Sequence, residues 1–150
     1  MLTTIMDEKL IQLNVEALDW EDAIRKSAFP LLTEGKISEN YIEEIIKSNR
    51  NNGPYFVLAK HIALPHASFK FGAKKKAIGI TTLLNPVISG QTANDPVKYL
   101  FCLSATDKNS HLEALSNLVE LLDDEIFFQM LDQAKCPSEV MAYIKNKTFN

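Results

Sequence analysis

Long apolar runs are missing from this chain: the longest, Tyr55 to Ala59 and Ala77 to Leu84, have the length of a strand and fall well short of a bilayer span. The expectation is a soluble protein. A basic excess is missing too, since 16 lysines and arginines stand against 19 aspartates and glutamates for a formal net charge of −3. That balance argues against a nucleic-acid binder. Glycine is scarce, with five residues, and neither Gly72 nor Gly79 sits in a phosphate-cradling glycine loop, so an ATP-dependent kinase is not expected. The two cysteines, Cys102 and Cys136, lie far apart without metal-ligand spacing. They read as free thiols of a cytoplasmic protein, with one disulfide as the alternative. The amino terminus carries Asp7 and Glu8 and no basic segment followed by an apolar one, so a secretory signal is not expected.

What is present is enough apolar material for one core: 46% of 150 residues are hydrophobic, which predicts a single domain over residues 1–150. Asp19 before Trp20-Glu21-Asp22 signals a helix carrying Ile24, Ala28, Leu31 and Leu32 up to Gly35, with Pro30 expected to kink or split it. Ser38 signals a second helix, with Tyr41, Ile42, Ile45 and Ile46 on one face, ending near the polar turn Ser48 to Gly53. Strands are predicted at Tyr55–Leu58, Ala77–Leu84, Val87-Ile88 and Val97–Leu103. The last third reads as helical, with one apolar stripe of Leu112, Leu115, Leu118, Val119 and Leu122, another of Ile126, Phe127, Met130 and Leu131, and a final helix opened by Pro137. Each helix has one stripe to bury, so the expected fold is an α/β sandwich with a mixed central sheet flanked by helices on both faces.

The chemistry concentrates in Ile62-Ala63-Leu64-Pro65-His66-Ala67, where an apolar strand runs into a proline-constrained turn. Pro65 biases Leu64 toward extended backbone and fixes its own φ, which presents His66 at a strand end. A second histidine, His111, lies in Asp107-Lys108-Asn109-Ser110-His111-Leu112-Glu113, where Ser110 and Glu113 match a capping box. The first turn of a helix welcomes an anion, so a neutral His111 there suits donation to a phosphoryl group. His66 fits a nucleophile for phosphoryl transfer and His111 the donor. Arg50, in the polar turn before Tyr55, is a candidate phosphate-binding charge.

Other chemistries use the same parts. A two-histidine phosphodiesterase with His66 and His111 as general base and acid stays open on sequence spacing. No metal is expected, because His61 and His66 are separated by a proline turn and no third ligand stands nearby. The run Lys70, Lys74, Lys75 and Lys76 lacks the aromatic interleaving of a single-strand binder and reads as a solvated loop.

Gly53-Pro54-Tyr55-Phe56-Val57-Leu58 leading into Ile62-Ala63-Leu64-Pro65-His66-Ala67 resembles the active-site segment of the mannitol/fructose-type enzyme IIA domains of the bacterial sugar phosphotransferase system. Asp95-Pro96-Val97, Leu103-Ser104-Ala105 and Asp107 to His111 with its following leucines most resemble the ascorbate-type subfamily. The resemblance runs from Trp20 to the last helix. It implies that His66 accepts a phosphoryl group from phospho-HPr and passes it to a cysteine of enzyme IIB, with the membrane enzyme IIC reached only through IIB. It implies no cofactor, makes His111 the second active-site histidine and puts Arg50 at the place of a family arginine. Two departures stand out: His61 replaces the usual glycine, and Ser68-Phe69-Lys70 replaces the usual continuation after the active-site histidine. Two roles follow as expectations, a transport phosphotransferase for an ascorbate-like or related carbohydrate and a regulatory domain whose His66 phosphorylation controls protein binding.

Overall fold

The starts of the first two helices are fixed by short polar side chains. The Asp19 carboxylate accepts the Asp22 N–H at 2.9 Å and opens α1, Trp20–Thr33. The Ser38 hydroxyl accepts the Tyr41 N–H at 3.3 Å and opens α2, Glu39–Asn52. Each cap satisfies a donor that the first turn leaves without a partner, worth about 1 kcal/mol. These elements belong to a computed structural model, which describes residues 2–107 and 112–149.

Of the kink or split expected at Pro30, the split does not occur; the helix runs on to Thr33. A proline there orphans the carbonyl four residues back. That carbonyl belongs to Lys26, and Gln12 Nε2 donates to it at 2.5 Å, so the lost hydrogen bond is replaced from a neighbouring strand. Likewise α2 continues through the residues read as a polar turn, so Arg50 lies in its last turn. It ends at Gly53, whose φ of +76° suits glycine and swings the chain toward the site.

The sheet has five strands: β1 Ile11–Val15, β2 Val57–Ala59, β3 Ile62–Ala63, β4 Ala77–Val87 and β5 Val97–Ser104, ordered β1-β4-β5-β3-β2. The β1–β4 and β3–β5 pairs are parallel, while β4–β5 and β2–β3 are antiparallel. The mixed sheet expected from sequence is therefore present, with details that differ. Tyr55 precedes its strand rather than opening it, and Tyr55 and Leu58 are exposed whereas Phe56 and Val57 are buried. Val87 is not a separate piece, because β4 passes through Asn85-Pro86 and regains its partner at Val97 after a register shift beyond Thr82. Leu84, Asn85 and Pro86 are exposed there, so the proline stands where its missing N–H costs no central ladder bond.

Helices cover both faces. α1 and α2 bury Ile24, Leu31, Ile45 and Ile46 against one side with Phe56 and Leu100, and each such side chain contributes about 1.5–3 kcal/mol by leaving water. On the other side lie α3 (Leu112–Leu122), α4 (Glu125–Gln133) and α5 (Pro137–Asn146), packed on Ile78, Ile80 and Phe101. The α3 stripe is shifted from the expected one: Leu118 and Leu121 are buried, while Leu112 and Val119 are exposed. In α4, Phe127 and Leu131 are buried and Ile126 faces solvent.

Candidate active site

The segment after β3 is held at almost every backbone position before His66 is reached. Leu64 N–H donates to Phe56 O at 2.9 Å, and Leu103 N–H in β5 donates to Pro65 O at 3.0 Å. After the histidine, Ala67 N–H donates to the Tyr41 hydroxyl at 3.1 Å. His66 thus sits three residues beyond the end of β3, just past a strand end as the sequence suggested.

The imidazole is held as firmly as its backbone. His66 Nδ1 lies 2.7 Å from Leu64 O, and a carbonyl oxygen can only accept, so Nδ1 carries the proton. Nε2 is then the nitrogen with the free lone pair, and no described residue hydrogen-bonds it. The rings of Tyr55 and Phe56 stand 6.0 and 6.2 Å from the imidazole at 78° and 59°, and fix its plane from the side.

A cavity of about 200 Å³ opens beside His66, lined by Tyr41, Ala67, Ser68, Phe69, Leu103, Ala105 and Asp107. Burial pushes the Tyr41 hydroxyl well above the ordinary tyrosine range, partly offset by the Ala67 backbone, so it remains a hydroxyl. It donates to Leu103 O at 2.7 Å. Sequence reading placed Tyr41 among the apolar residues of α2 and missed this contact; the signal was a phenol on a buried stripe, since a buried tyrosine needs a partner for its hydroxyl.

Arg50 is bound to Glu21 by two hydrogen bonds of 2.8 and 2.7 Å, and no direct hydrogen bond joins it to His66. His111, Ser110 and the side chain of Glu113, which carry the proposed second histidine and its capping box, lie outside the described residues. His61 belongs to the β2–β3 turn: its Nδ1 lies 2.7 Å from Pro96 O and its φ is +69°. A left-handed backbone is what glycine adopts most easily, and histidine is among the residues that tolerate it. Among the described residues no three His, Cys, Asp or Glu side chains group as metal ligands. Cys102 and Cys136 are free, and burial pushes the Cys102 thiol up to about 12.

Residues 4–147 match the family described as phosphoenolpyruvate-dependent sugar phosphotransferase system, EIIA 2. The chain belongs to that family. This enzyme IIA is 41% identical over 131 residues to the mannitol-specific cryptic phosphotransferase enzyme IIA component of Escherichia coli, covering 87% of this chain and 88% of that one. A solution structure bearing that name superposes with a TM-score of 0.84 at 35% identity, over 98% of this chain and 100% of that chain. The ascorbate-specific EIIA component of Shigella boydii is 32% identical over 142 residues, 94% of this chain and 92% of that one. The complex of enzyme IIA and phosphorylated enzyme IIB for mannitol from Escherichia coli shares the fold, with a TM-score of 0.80 over 95% of this chain and 100% of that one at 20% identity. Among the described residues, no helix of this enzyme IIA is long and apolar enough to cross a membrane.

Proposed function

We propose that His66 Nε2 is the phosphoryl acceptor of this enzyme IIA. The observation that carries the reading is the 2.7 Å contact of Nδ1 with Leu64 O, which leaves the Nε2 lone pair pointing away from the backbone. Nε2 attacks the phosphorus of phospho-HPr, a nitrogen–phosphorus bond forms on His66, and the one on the donor histidine breaks. The ring carries positive charge while Nδ1 keeps its proton, and the Leu64 carbonyl stabilises it. Attack by a cysteine thiolate of enzyme IIB then breaks the new bond and returns a neutral imidazole. Enzyme IIC is reached only through IIB, and the protein works in the cytoplasm.

His111 supplies a donor to the phosphoryl oxygens in this scheme. Arg50 adds positive charge, and can contact the phosphoryl group only by exchanging its Glu21 partner. The mannitol and ascorbate names of the relatives support a carbohydrate or sugar acid of that class as the compound finally served. The solved mannitol pair supports a IIB partner.

The test is incubation with phosphoenolpyruvate, enzyme I and HPr, followed by IIB proteins of ascorbate and mannitol type. One acid-labile phosphate is expected on the unsubstituted chain, none on His66→Ala, and passage to a IIB cysteine. Label retained by His66→Ala overturns the acceptor; label on His66 that reaches no IIB favours the regulatory role instead.

A further inference from the structure

The peptide groups on either side of His66 converge on one residue of the central sheet. Leu103 N–H donates to Pro65 O at 3.0 Å, and Leu103 O accepts the Tyr41 hydroxyl at 2.7 Å. That hydroxyl in turn accepts the Ala67 N–H at 3.1 Å. One anchor is direct and the other passes through a single side chain. We propose that Tyr41 is a positioning residue for phosphoryl transfer, fixing the peptide after His66 so that Nδ1 stays on Leu64 O and Nε2 stays presented.

The proposal rests on His66 being the acceptor. Tyr41 is only 1% exposed, so it acts through the loop and not on a docking protein. Without the hydroxyl, the Ala67 N–H and Leu103 O lose their partner beside a cavity of about 200 Å³, and the loop gains room to shift. Misplacing a reacting group by about 1 Å costs on the order of a hundredfold in rate.

Tyr41→Phe keeps the ring and removes only the hydroxyl. The maximal rate of His66 labelling by phospho-HPr should fall at least about tenfold, with the half-saturating HPr concentration unchanged. Nitrogen-15 spectra of the imidazole should move from the pure Nδ1–H tautomer toward a mixture. Ile45→Val, which trims the same buried side of α2 and leaves the Tyr41 hydroxyl in place, should keep both the rate and the tautomer. A folded Tyr41→Phe with parental rate and tautomer overturns the proposal, and so does an equal loss in Ile45→Val. Amide exchange of the unsubstituted chain needs no variant: Ala67 should exchange slowly, and unprotected exchange there overturns the proposal. If the unsubstituted chain takes no phosphoryl group, the acceptor assignment fails, while the tautomer and exchange measurements still decide the part of Tyr41.

Discussion

Arg50 and Glu21 form a two-pronged ion pair, Nε to Oε2 at 2.8 Å and one terminal nitrogen to Oε1 at 2.7 Å, that ties the end of α2 to the start of α1. Nine residues separate Arg50 from Tyr41, which at about 100° per residue sets them on opposite sides of the helix. Arg50 therefore faces α1 while Tyr41 faces the His66 loop.

The Arg50 side chain is 63% exposed, and solvent screens a surface pair of this kind. A phosphoryl dianion can compete for such a guanidinium. Arg50→Ala should slow His66 labelling severalfold, less than loss of His111 does, and leave the unfolding midpoint nearly unchanged. Glu21→Gln, which frees the guanidinium, should not slow labelling. Parental rates in Arg50→Ala would leave the residue as a tie between two helices.

Gly72 is expected to be intolerant of any side chain. Its φ is +122°, and a Cβ there would stand 1.8 Å from the Ser38 hydroxyl that caps α2. Gly72→Ala should therefore strain the backbone and displace a cap together, costing about 2 kcal/mol or more. Ser38→Ala should cost about 1 kcal/mol, and the double variant less than the sum, because Ser38→Ala removes the atom that clashes. Denaturant midpoints of the three variants check this, and additive losses would refute the shared contact.

Elements whose signals are local were legible in the sequence, and those made by distant partners were not. Asp19 and Ser38 announce their helices because a cap reaches only three residues along the chain. The constrained turn at His66 was equally legible, since Pro65 acts on its immediate neighbours. β1 went unread although Ile11, Leu13 and Val15 alternate with Gln12 and Asn14 as in a half-buried strand: the run is only five residues long, and its partner β4 lies about seventy residues on. That α1 continues past Pro30 was hidden for the same reason: Gln12, far back in the chain, replaces the bond that proline removes. The hydroxyl of Tyr41 meets partners 26 and 62 residues away, so only the fold shows that it reaches the backbone beside His66.

His111→Ala removes a proposed donor while His66 keeps its tautomer through Leu64. Labelling of His66 should slow by roughly ten- to a thousandfold, as expected for one preorganised donor. His111→Gln keeps an N–H and should retain more activity than alanine. If His111→Ala labels at the parental rate and only its unfolding midpoint falls, the histidine is structural.

Asp124 gives the stability a defined dependence on pH. Its Oδ1 accepts the Ile126 and Phe127 N–H groups at 3.0 and 3.2 Å and caps α4, while Oδ2 accepts the Tyr143 hydroxyl and pairs with Lys147 at 3.2 Å. The Tyr143 hydroxyl, together with the Phe127 N–H and Lys147, holds the carboxyl below its ordinary value of 3.8 against the opposing effect of burial. The unfolded chain therefore takes up the proton first as pH falls, so this stabilisation is complete above about pH 5 and is lost through and below pH 4. Tyr143 is pushed up to about 12 by the same contact, so stability also falls as pH rises from about 10 toward that value. Asp124→Ala should cost about 2 kcal/mol at pH 7, through the lost cap and the lost charged contacts. The gap should narrow at pH 3. Tyr143→Phe should remove the alkaline decline attributable to this contact and soften the acid one. Unfolding free energies of the three proteins at pH 3, 7 and 11 measure both limbs, and a gap between parent and Asp124→Ala that stays constant from pH 7 to pH 3 would show that the carboxylate's charge contributes nothing.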